Sequence, residues 1–193
     1  SYAAHLFSIP ATVIMPEHAS VARIKLCRHY GAQIIFKKNL QACFDQEHVY
    51  TSQGLTPIHP FEGETVALGT GTLGLEMINN WPSCEAVITA IGGGGLCGGI
   101  ANAIKQIKPT CQVYGVEPIG ANSMTLSLKQ KSPIKKITPN TIADSLAAPC
   151  SLPYSYSLCE KYIDGIANVT EPEIINAMKI SAESLKLAIE PAA

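Results

Sequence analysis

Charge is what this sequence has least of. Asp, Glu, Lys and Arg make up 15% of its 193 residues, where an average soluble domain carries about 25%. So little charge implies that much of the chain lies in an interior or under a partner surface. The formal net charge of −1 gives no electrostatic reason to expect nucleic acid or an anionic membrane as partner. No apolar run approaches the roughly 20 residues of a membrane span, and no basic-then-apolar signal opens the chain. Cys27, Cys43, Cys84, Cys97, Cys111, Cys150 and Cys159 form no CxxC pair, and their odd number argues against a closed disulfide framework. They read as reduced thiols of a cytoplasmic protein, packed as small apolar residues. The histidines at 5, 18, 29, 48 and 59 show no paired ligand spacing and read as non-metal. There is no repeat and no low-complexity segment. Ser1 is not an initiator methionine and opens inside a helix-like run, and Glu190-Pro191-Ala192-Ala193 ends without a polar tail. The chain is therefore expected to be an internal fragment.

What is present alternates strands and helices. Ser1 to Ser8 reads as the end of a helix broken at Ile9-Pro10. Ala11 to Met15 is a β-branched strand. Ser20 is placed to cap a helix with Val21, Ile24 and Cys27 on one face, and Gly31 to end it. Ala32 to Phe36 is a second strand, with a connection suited to parallel pairing. Leu40 to Gln53 reads as helix, and Gly54 to Gly63 as a loop that marks a domain crossing. Thr65 to Asn80 is helix-like despite Gly69, Gly71 and Gly74. Each glycine costs a helix about 1 kcal/mol, so close packing against backbone or ligand is expected there. Strands follow at 85–91 and 111–117, helices at 96–107 and 121–130. Residues 131–153 hold Pro133, Pro139, Pro149 and Pro153 and read as irregular. Tyr154 to Tyr162 is a helix and Gly165 to Val169 a strand. Thr170-Glu171-Pro172-Glu173 spells a capping box. After it, Ile174, Ile175, Met178, Ala182, Leu185 and Ile189 form one apolar stripe, expected to pack into a core. The pattern predicts an α/β fold with mostly parallel sheets.

The sequence is organised around Gly92-Gly93-Gly94-Gly95-Leu96, between a strand and a helix. A flexible connector needs one or two glycines, and four in a row cost unnecessary backbone entropy. Backbone N–H groups at a helix N-terminus form an anion site. Two anions compete. Gly93-x-Gly95-x-x-Gly98, with Glu117 beyond it, formally matches a dinucleotide fingerprint. Among glycines this dense that match is weak, and a single phosphate held by consecutive N–H groups fits equally.

A series of short motifs then becomes recognisable. They are Ala11-Thr12-Val13-Ile14-Met15-Pro16-Glu17, Tyr30-Gly31-Ala32-Gln33, His59-Pro60-Phe61, Gly71-Thr72-Leu73-Gly74-Leu75-Glu76 and the tetraglycine. Val116-Glu117-Pro118, Thr141-Ile142-Ala143-Asp144 and Ile189-Glu190-Pro191-Ala192 follow in order. Together they resemble the pyridoxal-phosphate-dependent serine/threonine dehydratase and serine racemase family, nearly end to end. The resemblance implies a tryptophan-synthase-β-like fold (fold type II) in two domains, incomplete at both ends. Residues 1–58 would belong to the smaller domain and 59–193 to the larger, cofactor-binding one. It implies that the N–H groups of Gly92, Gly93, Gly94, Gly95 and Leu96 take the cofactor phosphate.

By the same resemblance, Glu117 and the carbonyl of Ala121 match two ligands of a divalent-cation site. The third position, acidic in the racemases, is Ser123. Glu190 matches a glutamate near the cofactor ring, and Asp144 a residue near the substrate. The Schiff-base lysine and an SSGNH loop would lie before Ser1, and the partner of the pyridine nitrogen beyond Ala193. No lysine here stands in the matching position, so the chain alone is expected to be inactive. The implied activity of the parent is deamination of L-serine or L-threonine to a 2-oxo acid and ammonia, in a homo-oligomer acting on a small hydroxy-amino acid. Serine racemase is the alternative, and a nicotinamide-dependent oxidoreductase remains open on the glycine pattern. Phe61 leans toward dehydration. Thr70, in place of a usual glutamine, Ser145, in place of a usual glycine, and the stretch Leu146 to Tyr156 depart from the family pattern and suggest a subgroup with a substrate other than threonine.

Overall fold

The computed structural model describes residues 1–193, which divide into two compact units, Ser1–Pro57 and Ile58–Ala193. The first unit runs α1 (Tyr2–Leu6), β1 (Thr12–Pro16), α2 (Val21–His29), β2 (Gln33–Lys37) and α3 (Leu40–Ser52). β1 and β2 pair in parallel, from Thr12 opposite Gln33 to Pro16 opposite Lys37. The crossover works because α2 stops sharply. Gly31 takes φ +74°, its N–H bonds the Arg28 carbonyl at 3.0 Å, and the Ala32 N–H reaches back to Cys27 at 3.0 Å. This paired closure returns the chain toward the sheet. At the other end of α2, Ser20 occupies the cap position but its side chain makes no capping bond, and Val21 is exposed, contrary to the sequence expectation. In α3 the Asn39 side chain does cap, accepting the Ala42 N–H at 2.9 Å.

The second unit contains α4 (Glu64–Asn80), β3 (Ala86–Ala90), α5 (Gly95–Ile107), β4 (Gln112–Pro118) and α6 (Ser123–Gln130). It continues with α7 (Pro153–Tyr162), β5 (Gly165–Val169) and α8 (Glu171–Ile180). Its sheet has the order β3-β4-β5, all parallel. Alternate strand residues Val87 and Val113 are buried with Ile78, Ile100, Ile104 and Cys111. A second cluster, Ile91, Cys97, Met124, Tyr156 and Cys159, lies beneath the turn after β3. Two of the three glycines of α4 serve close helix packing. A Cβ on Gly74 would stand 2.8 Å from the Ile100 carbonyl oxygen, and one on Gly71 3.3 Å from that of Gly99. Gly69 has nothing within 4 Å, so packing does not explain it.

At the N-terminal ends of the strands, Asp164 ties helix to sheet. It meets Lys105 of α5 at 2.8 Å and accepts the Val113 N–H at 2.6 Å. Residues 131–152 lack regular structure apart from a 3-10 turn at Asp144–Leu146. They are nonetheless laced by backbone bonds: Ile137 N–H to Pro149 O at 2.7 Å, Asn140 N–H to Gly120 O at 2.8 Å and Ser151 N–H to Ile134 O at 3.0 Å.

The capping box of α8 forms as the sequence predicts, with Thr170 and Glu173 exchanging side-chain and backbone bonds. The stripe after it departs from expectation. The α-helix ends at Ile180, a π-helical turn covers Ser181–Leu185, and Lys186 takes φ +57°. Ile189 is thus off the helix, and no residue of α8 is buried; Leu185 is 64% exposed. All seven cysteines are free thiols. No helix is long and apolar enough to cross a membrane.

Candidate active site: the turn after β3

Parallel strands direct their C-terminal ends to one edge, where ligands of such sheets bind. At that edge the chain turns from β3 through Gly92, Gly93 and Gly94 into α5. Gly94 sits at the cap position with φ +94°, a left-handed conformation that side chains resist. It has no side chain to cap the helix, and the first turn of α5 holds no acidic residue. The first helical bond runs from Gly98 N–H to Gly94 O at 2.8 Å. The N–H groups of Gly95, Leu96 and Cys97 therefore lack helical acceptors. The helix end is positive, uncapped and lined by backbone donors.

The loop is held from behind. A Cβ on Gly95 would come within 2.8 Å of Phe61 Cα, one on Gly92 within 3.0 Å of Leu146 Cα, and one on Gly93 would collide with the Phe61 ring. Thr70 of α4 donates its hydroxyl to the Gly95 carbonyl at 2.9 Å, and the Cys159 thiol lies 3.6 Å from the Gly94 carbonyl. The glycines thus let Phe61, Leu146 and Met124 close on the loop where side chains would otherwise stand.

Phe61 is itself fixed. His59 Nδ1 accepts the N–H groups of Phe61 at 3.2 Å and Glu62 at 3.0 Å, and the two rings meet edge to face at 4.7 Å. The Ser155 hydroxyl donates to the Phe61 carbonyl. The Glu62 carboxylate accepts the N–H groups of Tyr154 at 2.8 Å and Ser155 at 3.0 Å, at the start of α7. Sequence reasoning found His59-Pro60-Phe61 as a motif but missed Glu62, Ser155 and the Thr70 hydroxyl as supports. No local signal connects residue 62 with residues 154 and 155, because the relation is purely tertiary.

The remaining sequence candidates fall around the same edge. Ser145 donates to Glu190 at 3.4 Å, so the Asp144–Leu146 turn that abuts Gly92 also meets Glu190. Glu117, at the end of β4, is fully buried. One oxygen accepts the Met124 N–H at 2.9 Å; the other accepts the Thr125 N–H at 2.8 Å and hydroxyl at 2.7 Å. Asn168 of β5 donates to that same hydroxyl at 2.9 Å. Burial pushes the Glu117 carboxyl up to about 7, against the opposing pull of those three bonds. With no exposure, Glu117 offers no surface to the ribose of a dinucleotide. Ala121 is fully buried beside it, and the Ser123 hydroxyl is buried without a partner. Nowhere do three His, Cys, Asp or Glu side chains gather as metal ligands.

A cavity of about 310 Å³ opens on the sheet face away from α5, between Ile88, Val116 and Leu146 on one side and Ile174, Met178 and Glu190 on the other. Its walls are mostly apolar, with Glu173 and Glu190 at the rim.

Comparison with known proteins agrees with this geometry. The chain is 44% identical over its whole length to a phenylserine dehydratase of Ralstonia pickettii, of which it covers 59%. It is 34% identical to an L-threonine ammonia-lyase of Thermotoga maritima, across 98% of this chain and 48% of that protein. The structure of maize serine racemase superimposes with a TM-score of 0.92 at 31% identity, over 99% of this chain and 58% of that one. The chain thus spans about half to three-fifths of the length of these relatives. The profile described as pyridoxal-phosphate dependent enzyme matches residues 1–193, and the chain belongs to that family.

Proposed function

We propose that the protein carrying this chain is a pyridoxal-phosphate-dependent ammonia-lyase. It would convert a small β-hydroxy amino acid to a 2-oxo acid and ammonia. The carrying observation is the uncapped start of α5, whose first backbone donors have no helical acceptor while the Cβ side of each loop glycine is occupied by protein. Such a cradle fits a phosphate: it offers N–H groups and the helix dipole, with no carboxylate to compete. In this reading Gly92, Gly93, Gly94, Gly95 and Leu96 hold the cofactor phosphate. The bound cofactor supplies the electron sink for breaking the Cα–H bond. The chain's own residues orient it: Phe61, Thr70 and Leu146 fix the loop, and the Ser145–Glu190 contact fixes the turn beside Gly92.

The names of the phenylserine dehydratase and threonine ammonia-lyase relatives support dehydration. The likeness to maize serine racemase supports racemisation as the second reading. Glu117 and the Ala121 carbonyl stay in the proposal as cation ligands. Ser123, where the racemases carry an acid, weakens this part of the proposal, since it brings a buried hydroxyl and no charge. The free, mostly buried thiols support a reducing cytoplasmic setting. A homo-oligomer stays in the proposal on the family resemblance alone.

The test is to titrate the full-length apoenzyme with pyridoxal phosphate, then assay L-serine, L-threonine and phenylserine for ammonia and 2-oxo acid. Ammonia and 2-oxo acid in equal amounts are expected. D-serine from L-serine without ammonia would establish the racemase reading instead, and failure to bind the cofactor would remove both.

A further inference from the structure

We propose that Glu62 is a positioning residue for the phosphate loop, acting through Phe61. The inference rests on the cofactor reading of Gly92–Leu96 given above. Three observations carry it. Phe61 is the back wall of the loop: its backbone lies against Gly95 and its ring against Gly93, so any displacement of residue 61 changes the curvature that aims the loop N–H groups. The Glu62 carboxylate joins the next peptide to α7 by two bonds, one oxygen to Tyr154 N–H and the other to Ser155 N–H. The Ser155 hydroxyl closes the ring by donating to the Phe61 carbonyl.

The result is a short closed circuit, Phe61–Glu62–Ser155–Phe61, in which α7 and the wall of the loop fix each other. Pro153 opens α7 and provides no N–H, so Glu62 answers the first two donors that the helix offers. No side chain of α7 itself makes a capping bond, which leaves Glu62 as the cap, supplied from 92 and 93 positions away in sequence. An anion at a helix start is stabilised by the dipole as well as by the two bonds. α7 in turn carries Cys159, which touches the Gly94 carbonyl, and Leu158, against which Gly98 packs. One carboxylate therefore sets the position of α7 and of Phe61, and through both the position of the loop at Gly93, Gly94 and Gly95. His59 fixes the same turn from the other side, through the Phe61 and Glu62 N–H groups, and leaves the carboxylate free to face α7.

The experiment uses the full-length holoenzyme and its apo form, as wild type, Glu62→Ala, Glu62→Gln and Asp164→Ala. Cofactor affinity is read by titration of the apo form, and the seating of the phosphate by the ³¹P resonance of the bound cofactor. Loss of two bonds to a charged acceptor predicts a dissociation constant raised roughly tenfold or more in Glu62→Ala, with a shifted or broadened ³¹P signal. Glu62→Gln keeps one acceptor oxygen and should fall between Glu62→Ala and wild type. Asp164→Ala breaks a tie at the far ends of the strands and should lower the melting temperature with cofactor affinity unchanged. That contrast separates positioning from general loss of stability. Should Glu62→Ala not fold, Glu62→Gln decides alone. Wild-type affinity and an unshifted ³¹P signal in the Glu62 variants overturn the inference while leaving the cofactor reading intact. Absence of cofactor binding in wild type overturns both.

Discussion

Gly74 and Ile100 touch through backbone: the Cβ that Gly74 lacks would stand 2.8 Å from the Ile100 carbonyl oxygen. Helices α4 and α5 meet at a distance that a methyl group forbids. Gly74→Ala gains intrinsic helix propensity of up to about 1 kcal/mol, yet must push the helices apart. Overpacking of this kind costs about 1–3 kcal/mol, so a net loss is expected. A lower urea midpoint checks it; Gly69→Ala, with open space around it, should be neutral or stabilising.

Gly94→Val should weaken pyridoxal phosphate binding. Its φ of +94° is strained for any side chain, and a β-branched one would also press on Met124 and Cys159. A rise in the cofactor dissociation constant of roughly tenfold or more is expected. An unchanged constant, measured by titration of the apoenzyme, would show that phosphate binds elsewhere.

The Asp164 carboxyl is held below its ordinary value, chiefly by Lys105 and also by the Val113 N–H. A depressed carboxyl lends stability that is fully present above the unfolded value, about 3.9, and is lost as pH falls through the folded one. Asp164→Asn should therefore flatten the acid limb of a stability–pH curve below about pH 4. If that limb is identical in the variant, the pairing is not what acid disrupts.

Thr170→Ala removes one half of the capping box at the start of α8. Caps of this type contribute about 0.5–2 kcal/mol, and the helix buries no residue that would compensate. Faster amide exchange in the first turn of α8, with the rest of the unit unaffected, is the expected signature.

Most elements of the fold could be read from the chain because their signals are local. β1 and β2 are short β-branched runs, Gly31 ends α2 as only glycine does easily, and the Thr170 box names its own partner three residues on. The stripe from Ile174 to Ile189 misled because periodicity reports which residues share a helical face, not whether anything covers it, nor that the helix breaks at Ile180. Ser20 misled because residue type permits a cap without requiring the side chain to turn inward. At the site, the glycines were legible because four in succession have a backbone cost that demands a reason. Their support was not. The contacts of Phe61 with Gly93 and of Glu62 with Ser155 join residues tens of positions apart, and neither residue type signals its distant partner. Glu117 was legible as an acid at a strand end, but its burial under the N-terminus of α6 was not.

The stretch from residue 131 to 152 has no regular structure beyond one 3-10 turn, yet its Ile137, Asn140 and Ser151 amides are taken by the carbonyls of Pro149, Gly120 and Ile134. Rigidity here is independent of regular structure. A protease scanning for slack chain should pass over Asn140 as it would over the middle of a helix, because opening any one of these knots means opening its neighbours. The same lacing ties the Asp144–Leu146 turn, and with it the flank of the Gly92 loop, to the end of β4. Because these acceptors are main-chain carbonyls, side-chain changes within 131–152 leave the lacing in place, so this surface can diversify in chemistry while keeping its course; just outside it Gly120 has no such freedom, since a Cβ there would collide with the Asn140 carbonyl.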